Sequence, residues 1–102
     1  MSIDKRFLKS RPVCKVKFRL SVDMVGDADE VYLVGDFNDW RTDATQMKKL
    51  KNGDFTVTLD LPVDRQYQFR YLVDQSKWVN DDAADHYVGS PYPGVENSVI
   101  VV

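Results

Sequence analysis

Strict two-residue alternation of polar and apolar side chains constrains the fold of this chain more than any other feature. Residues 54–61 alternate without a break, and their apolar members are Phe55, Val57, Leu59 and Leu61. Residues 13–22 repeat the pattern with basic side chains between the apolar ones. Because successive side chains of a strand point to opposite faces, this period predicts strands with one buried face.

Other short segments read as strands in the same way. We predict them at 30–34, 46–50, 66–74, 77–80 and 97–102, with turn signals such as Asn52-Gly53 between them. The acidic residues are fourteen Asp and only two Glu, and Asp favours turns over helices. About seven short, mainly antiparallel strands without a long helix predict an all-β sandwich.

The domain organisation follows from length and from one proline. At 102 residues the chain can bury a single core, so one domain is expected. Pro12 interrupts the pattern before the first alternating run, because it disfavours helix at the residue before it. We therefore predict an N-terminal tail over 1–12 and a β-sandwich domain over 13–102.

Charge and composition argue against several classes of partner. Lys and Arg number 14 against 16 Asp and Glu, so no positive excess favours nucleic acid. No apolar run has the length needed to span a bilayer, so we expect neither a membrane-spanning segment nor a membrane as partner. The single cysteine and a charged N-terminus without a signal-peptide pattern predict a cytoplasmic protein.

The stretch GDFNDW, residues 35–40, places a tryptophan at the end of a turn. Turns usually carry small polar residues, which satisfy local backbone groups. From the residues alone, Trp40 either packs back over the core or is held out for a ligand.

The hairpin between 66–74 and 77–80 decides the direction of the second tryptophan. A three-residue loop at 75–77 pairs Leu72 with Asn80 and puts Trp78 on the outer face with Arg70, whereas a two-residue loop turns Trp78 inward. We prefer the first, because it exposes Asn80 and buries Val79. Arg70 then lies about 13 Å from the row that holds Trp78. Exposed indole, guanidinium and amide groups suit a chain of sugars.

Three stretches together resemble a known family. VYLVGDFNDW, LDLPVDRQYQFRYLVDQSKWVND and GVENSVIVV are similar to the family 48 carbohydrate-binding modules, which occur at the N-termini of isoamylases and branching enzymes and in the β subunits of AMP-activated protein kinase. The resemblance covers 13–102. It implies an immunoglobulin-like, early-set β-sandwich that binds α-glucans such as glycogen, starch and malto-oligosaccharides without catalysis.

The resemblance also implies roles for four residues. Trp40 and Trp78 would stack on the glucan, while Arg70 and Asn97 would hydrogen-bond its hydroxyls. The sequence departs from the family at Pro93, where glycogen binders have an apolar Leu, and at Val95, where they have Thr. The hairpin is also one residue longer than in the family.

No enzyme activity, cofactor or metal is expected. Acidic clusters flank both tryptophans, but nothing in the sequence encloses a substrate between two carboxylates, as glycoside hydrolysis requires. The segment 80–85 lacks the Gly and Glu of a calcium loop, and His86 has no metal-spaced partner.

The expected partners are an α-glucan and a glycogen-metabolising enzyme that the module would recruit. The alternative is a protein-interaction module of the same fold that has lost sugar binding. Its support is the departure at Pro93 and Val95, together with four basic side chains of the predicted tail, which are Lys5, Arg6, Lys9 and Arg11.

Overall fold

Two antiparallel sheets packed against a shared core form the protein. The computed structural model describes residues 3–91 and 95–102. Within these ranges there are nine strands: β1 (Ile3–Phe7), β2 (Val13–Leu20), β3 (Val31–Gly35), β4 (Lys48–Lys49), β5 (Phe55–Pro62), β6 (Gln66–Val73), β7 (Lys77–Val79), β8 (His86–Gly89) and β9 (Glu96–Val101). A single helical turn, α1 (Val22–Val25), and a 3₁₀ turn, Asp36–Asn38, complete the described elements. The predicted all-β sandwich is confirmed.

Strand β6 organises the second sheet. The first sheet has the order β1-β2-β5-β4, and the second has the order β3-β6-β9-β8. β3 pairs with β6 along one side. On the other side β9 pairs with the first half of β6, and β7 pairs with the second half. The outer face of β6 therefore lies between side chains from three neighbouring strands.

The alternation seen in the sequence accounts for the core. The inward side chains of β2 are fully or almost fully buried, and they are Cys14, Val16, Phe18 and Leu20. They pack with the inward aromatic side chains of β6, and the rings of Phe18 and Phe69 meet edge to face with 5.2 Å between centroids. Burial of these two apolar strand faces against each other is the main interaction that stabilises the sandwich.

The predicted N-terminal tail contains a strand, which differs from the expectation. β1 pairs antiparallel with β2, from Ile3 opposite Phe18 to Phe7 opposite Cys14. Lys5 ties this strand to the other sheet, because its Nζ donates to Asp85 Oδ2 at 2.6 Å and to the Val101 carbonyl at 2.8 Å. Only three apolar or amphipathic positions alternate in β1, too few for the pattern to predict it. β1 and β8 raise the described strands from the predicted seven to nine.

The predicted hairpin register is wrong by two residues. Leu72 pairs with Trp78 rather than with Asn80, so the loop is 74–76 rather than 75–77. The turn begins earlier because Asp74 and Gln75 take left-handed φ angles of 50° and 57°. The carboxylate of Asp74 also accepts from the backbone N–H groups of Asp29 and Glu30. A shift of two preserves the faces, so Trp78 still points outward.

Candidate functional site

A groove of about 680 Å³ lies on the outer face of the five-stranded sheet. Its described lining comes from the loop after β3, from β6 and β7, and from the segments around β9. The lining residues are Trp40, Thr42, Gln68, Arg70, Trp78, Ser90, Pro91, Val95 and Asn97. All four residues singled out from the sequence therefore lie in one groove, although they are separated by up to 57 positions in the chain.

The GDFNDW turn is built from close contacts made by its first four residues. A Cβ on Gly35 would meet the Gln68 carbonyl oxygen at 2.5 Å, so the approach to β6 needs glycine. Phe37 packs into the core, with its ring 5.9 Å from that of Phe18. Asn38 closes the turn: its side chain accepts from Gly35 N–H and donates to the carbonyl oxygen of Leu33 at 2.8 Å.

Trp40 is the wall of the groove rather than part of the core. Its Nε1 donates to Asp36 Oδ1 at 2.8 Å, while Asp36 Oδ2 accepts from the backbone N–H of Gln68 at 2.7 Å. One carboxylate thus fixes both the indole and the attachment of the turn to β6. Asp39 and Trp40 themselves have φ angles of 56° and 59°, which reverse the chain direction and carry the indole toward the groove.

Trp78 and Arg70 form a cation–π pair on the sheet surface. The guanidinium carbon of Arg70 lies 5.4 Å from the centre of the Trp78 ring, and the Trp78 residue is 39% exposed. The sequence prediction of about 13 Å between Arg70 and the Trp78 row was too long. It was too long because the true register brings Trp78 opposite Leu72, two residues from Arg70.

The Nε of Arg70 is a buried donor without an acceptor. Among the described residues it is the one buried side-chain nitrogen or oxygen that has no hydrogen-bond partner. Burial lowers the pKa of Arg70 from its ordinary value, yet arginine stays protonated in proteins. The groove is therefore lined by a cation whose Nε donates to no described residue.

Asn97 and Gln68 lie side by side along the groove. Asn97 is buried, and its Nδ2 donates to Gln68 Oε1 at 3.1 Å. Sequence reasoning did not select Gln68 as a site residue, although the alternation of β6 places it on the same face as Arg70. This signal was available but weak, because a single outward Gln on a strand is common.

Comparison with known families now identifies the chain. Residues 18–101 match the family described as the glycogen recognition site of AMP-activated protein kinase. The chain belongs to this family. The resemblance inferred from the sequence is confirmed, and the modules of this glycogen recognition family are carbohydrate-binding and non-catalytic. No curated protein matches the sequence.

A buried polar network supports this glycogen recognition module beside Trp78. The Tyr71 hydroxyl donates to Asp81 Oδ2 at 2.6 Å, and Asp81 N–H donates to Ser98 Oγ at 3.0 Å. Ser98 in turn donates to Asn80 Oδ1. Burial and the Asp81 carboxylate raise the pKa of Tyr71 well above its ordinary value. Asp81, one of the carboxylates flanking Trp78, therefore fixes the segment that follows β7.

The described lining of the groove includes no carboxylate. Over residues 3–91 and 95–102 there is no group of three side chains suited to hold a metal ion. No helix in that part of the chain is long and apolar enough to cross a membrane. Val95 contributes to the lining, whereas Pro93, the other departure from the family, lies outside the described residues.

Proposed function

We propose that the protein binds α-glucans, including glycogen, starch and malto-oligosaccharides, in the groove of the five-stranded sheet. Trp40 and Trp78 provide stacking platforms, and Arg70 and Asn97 hydrogen-bond sugar hydroxyls. The observation that carries this proposal is convergence: the two indoles, the guanidinium and the amide come from separate segments and line one groove.

The chemistry of the lining fits a sugar. One face of a glucose ring presents C–H groups that pack on an indole, and its rim presents hydroxyls that both donate and accept. Arg70 is half-buried in the groove, and its planar guanidinium could donate to sugar hydroxyls from the part that remains accessible. Stacking and this hydrogen bond would then act on adjacent parts of the same sugar, since the Arg70 guanidinium carbon lies only 5.4 Å from the centre of the Trp78 ring.

The module would act by targeting rather than by catalysis. The groove has tryptophan walls and no described carboxylate that could protonate a glycosidic oxygen. We infer that it brings a partner, such as a glycogen-metabolising enzyme, to the polysaccharide. The buried, unpaired Cys14 supports a reducing, cytoplasmic setting. Binding of a single glucan chain is expected to be weak, with a dissociation constant on the order of micromolar to millimolar.

Titration with maltoheptaose, followed by tryptophan fluorescence, tests this function. The chain has two tryptophans and both line the groove, so the signal reports on the site alone. We expect saturable binding, weakened about tenfold or more in Trp78→Ala and in Trp40→Ala, since 1.4 kcal/mol of lost stacking corresponds to tenfold. Each variant retains one tryptophan as a reporter.

Phe7→Ala is the matched control, because Phe7 is an exposed aromatic side chain on the other sheet, 58% exposed. Its affinity should equal that of the unmodified protein. Cellohexaose should not compete with maltoheptaose, since its β-linkages present the faces of successive glucose rings in a different order along the sugar chain. A folded protein that binds neither maltoheptaose nor glycogen would contradict the proposal and favour the protein-interaction alternative.

A further inference from the structure

Charge is divided very unevenly along the chain. We call residues 3–20, which comprise β1, β2 and their connecting turn, the basic hairpin. It contains seven basic residues and one acidic residue, which give it a net charge of +6. The rest of the chain contains seven basic and fifteen acidic residues, which give it a net charge of −8. The family match begins at residue 18, so it does not account for β1 or for most of β2.

The strand register gathers four of the seven basic side chains, Arg6, Lys15, Lys17 and Arg19, on the outer face of the four-stranded sheet. Arg6 lies opposite Lys15, and Lys17 lies opposite Asp4. Lys15 forms an exposed ion pair of 3.6 Å with Asp60, and such pairs contribute little stability. Arg6 and Lys17 make no ion pair with any described residue. The surface therefore keeps a positive potential in a protein of net negative charge.

The same hairpin also has an open backbone edge. Among the described strands, β1 is the end strand of its sheet. The Leu8 N–H donates to the Val13 carbonyl, so these two residues form a hydrogen-bonded pair. In an antiparallel ladder hydrogen-bonded pairs alternate with non-hydrogen-bonded ones. The backbone N–H and C=O groups of Lys5 and Phe7 therefore face away from β2. The exposed side chain of Phe7 lies beside this edge. An unpaired edge of this kind is a template for an added strand.

We propose that the basic hairpin binds an acidic, extended segment of a partner protein as an additional strand along β1. Alternating acidic and apolar side chains would place carboxylates beside Arg6 and apolar groups beside Phe7, because alternate residues share a face. The glucan groove lies on the outer face of the other sheet, so both ligands could bind at once.

Charge distinguishes this partner from two others. A second copy docking through the same edge would bring the basic side chains of two hairpins together, Arg6 next to Arg6, which is repulsive. Nucleic acid would extend past the hairpin along a molecule whose remaining residues carry −8, and it would gain little counterion release from so few contacts. A short acidic strand covers the positive surface without reaching beyond it.

The test uses a fluorescein-labelled peptide that alternates Glu and Val, about ten residues long so that it spans β1. Fluorescence anisotropy at low salt should show saturable binding of the peptide. The affinity should fall about tenfold or more in Arg6→Glu/Lys15→Glu. It should be unchanged in Lys51→Glu, because Lys51 is an exposed cation outside the hairpin. Should the double variant not fold by circular dichroism, Arg6→Gln/Lys15→Gln replaces it. Maltoheptaose affinity should be the same in all variants, which separates this proposal from the glucan site.

Hydrogen exchange gives the second readout. The backbone amides of Lys5 and Phe7 should become protected from exchange when the peptide binds. The exchange rate of the Arg6 amide should change little, because this amide already faces β2. A peptide N-methylated at alternate residues should bind at least tenfold more weakly. Equal binding of the methylated peptide would overturn strand addition. Tighter binding of an oligothymidine or of anionic vesicles, or self-association that disappears in the charge variants, would overturn the choice of partner.

Discussion

The two tryptophans of the groove are held in different ways. The turn at 35–40 fixes Trp40 through neighbours in sequence, and the indole itself is hydrogen-bonded to Asp36. No described residue accepts from the indole of Trp78, whose position depends on cross-strand pairing with Leu72 and on the cation–π contact with Arg70. One platform is thus encoded locally, and the other depends on contacts between distant segments. Mutations that affect one should leave the other largely intact.

The largest effect should come from removing the close approach that positions Trp40. Gly35→Ala would place a Cβ 2.5 Å from the Gln68 carbonyl oxygen and 2.7 Å from Phe69 Cβ, and neither atom belongs to a flexible side-chain end. We expect the free energy of unfolding to fall by about 3 kcal/mol, the upper range for overpacking, as measured by urea denaturation.

Gly89→Ala is the control for this substitution, because a Cβ there has no atom within 4 Å and its φ is not left-handed. It should change stability by less than about 0.5 kcal/mol. A Gly35→Ala variant as stable as Gly89→Ala would show that the turn can move away from β6, and that the Trp40 platform is not as tightly specified as the contacts indicate.

The counterpart beside Trp78 is the buried Tyr71 hydroxyl. Tyr71→Phe leaves Asp81 Oδ2 without this donor in a fully buried position, and we expect a loss of about 2 kcal/mol. Tyr87→Phe is the control: its hydroxyl donates to the Asp81 carbonyl from a more exposed ring, so its loss should be smaller. Equal losses measured by urea denaturation would contradict a special role for the buried pair.

The same hydroxyl predicts a pH dependence. The pKa of Tyr71 is raised in the folded protein, so the protonated form contributes stability that is fully present below the ordinary value of 10.0 and is lost as the pH rises above it. The urea midpoint of the unmodified protein should therefore fall more steeply above pH 10.0 than that of Tyr71→Phe. Parallel profiles would show that other groups dominate the alkaline transition.

These contrasts explain what could be predicted from the sequence. Period-two alternation predicts β5 and β6 because burial of one strand face leaves a direct trace in residue order. The faces of Trp78 and Arg70 followed from the same parity. The register did not, since it depends on left-handed φ angles at Asp74 and Gln75, which glycine-based turn rules do not anticipate. β1 was missed because only three of its positions alternate, and because Lys5 bonds to residues of the other sheet that lie 80 and 96 positions away in the chain.

A smaller effect should follow when the Trp40 indole loses its acceptor. Asp36→Asn retains one acceptor oxygen for two donors, Trp40 Nε1 and Gln68 N–H. We expect about 1 kcal/mol less stability and about fivefold weaker maltoheptaose binding, because the indole is free to rotate. The control is Asp39→Asn, at an exposed position whose left-handed φ suits Asn, and it should behave as the unmodified protein. Unchanged affinity in Asp36→Asn would mean that the contacts of Gly35, Phe37 and Asn38 orient the turn without Asp36.

The smallest effect concerns a hydrogen bond that joins the regions holding the two platforms. Gln75 Nε2 donates to the Thr42 carbonyl at 3.0 Å and so joins the tip of the Trp78 hairpin to the loop after Trp40. Gln75→Gly loses this bond but removes a left-handed strain of roughly 1 kcal/mol, so its stability should be almost unchanged. Gln75→Asn also tolerates the left-handed φ, but its side chain is one methylene too short to reach Thr42. If the link aligns the platforms, both variants should bind maltoheptaose about twofold more weakly although neither loses much stability. Affinity equal to that of the unmodified protein in both variants would show that each tryptophan is held by its own region alone.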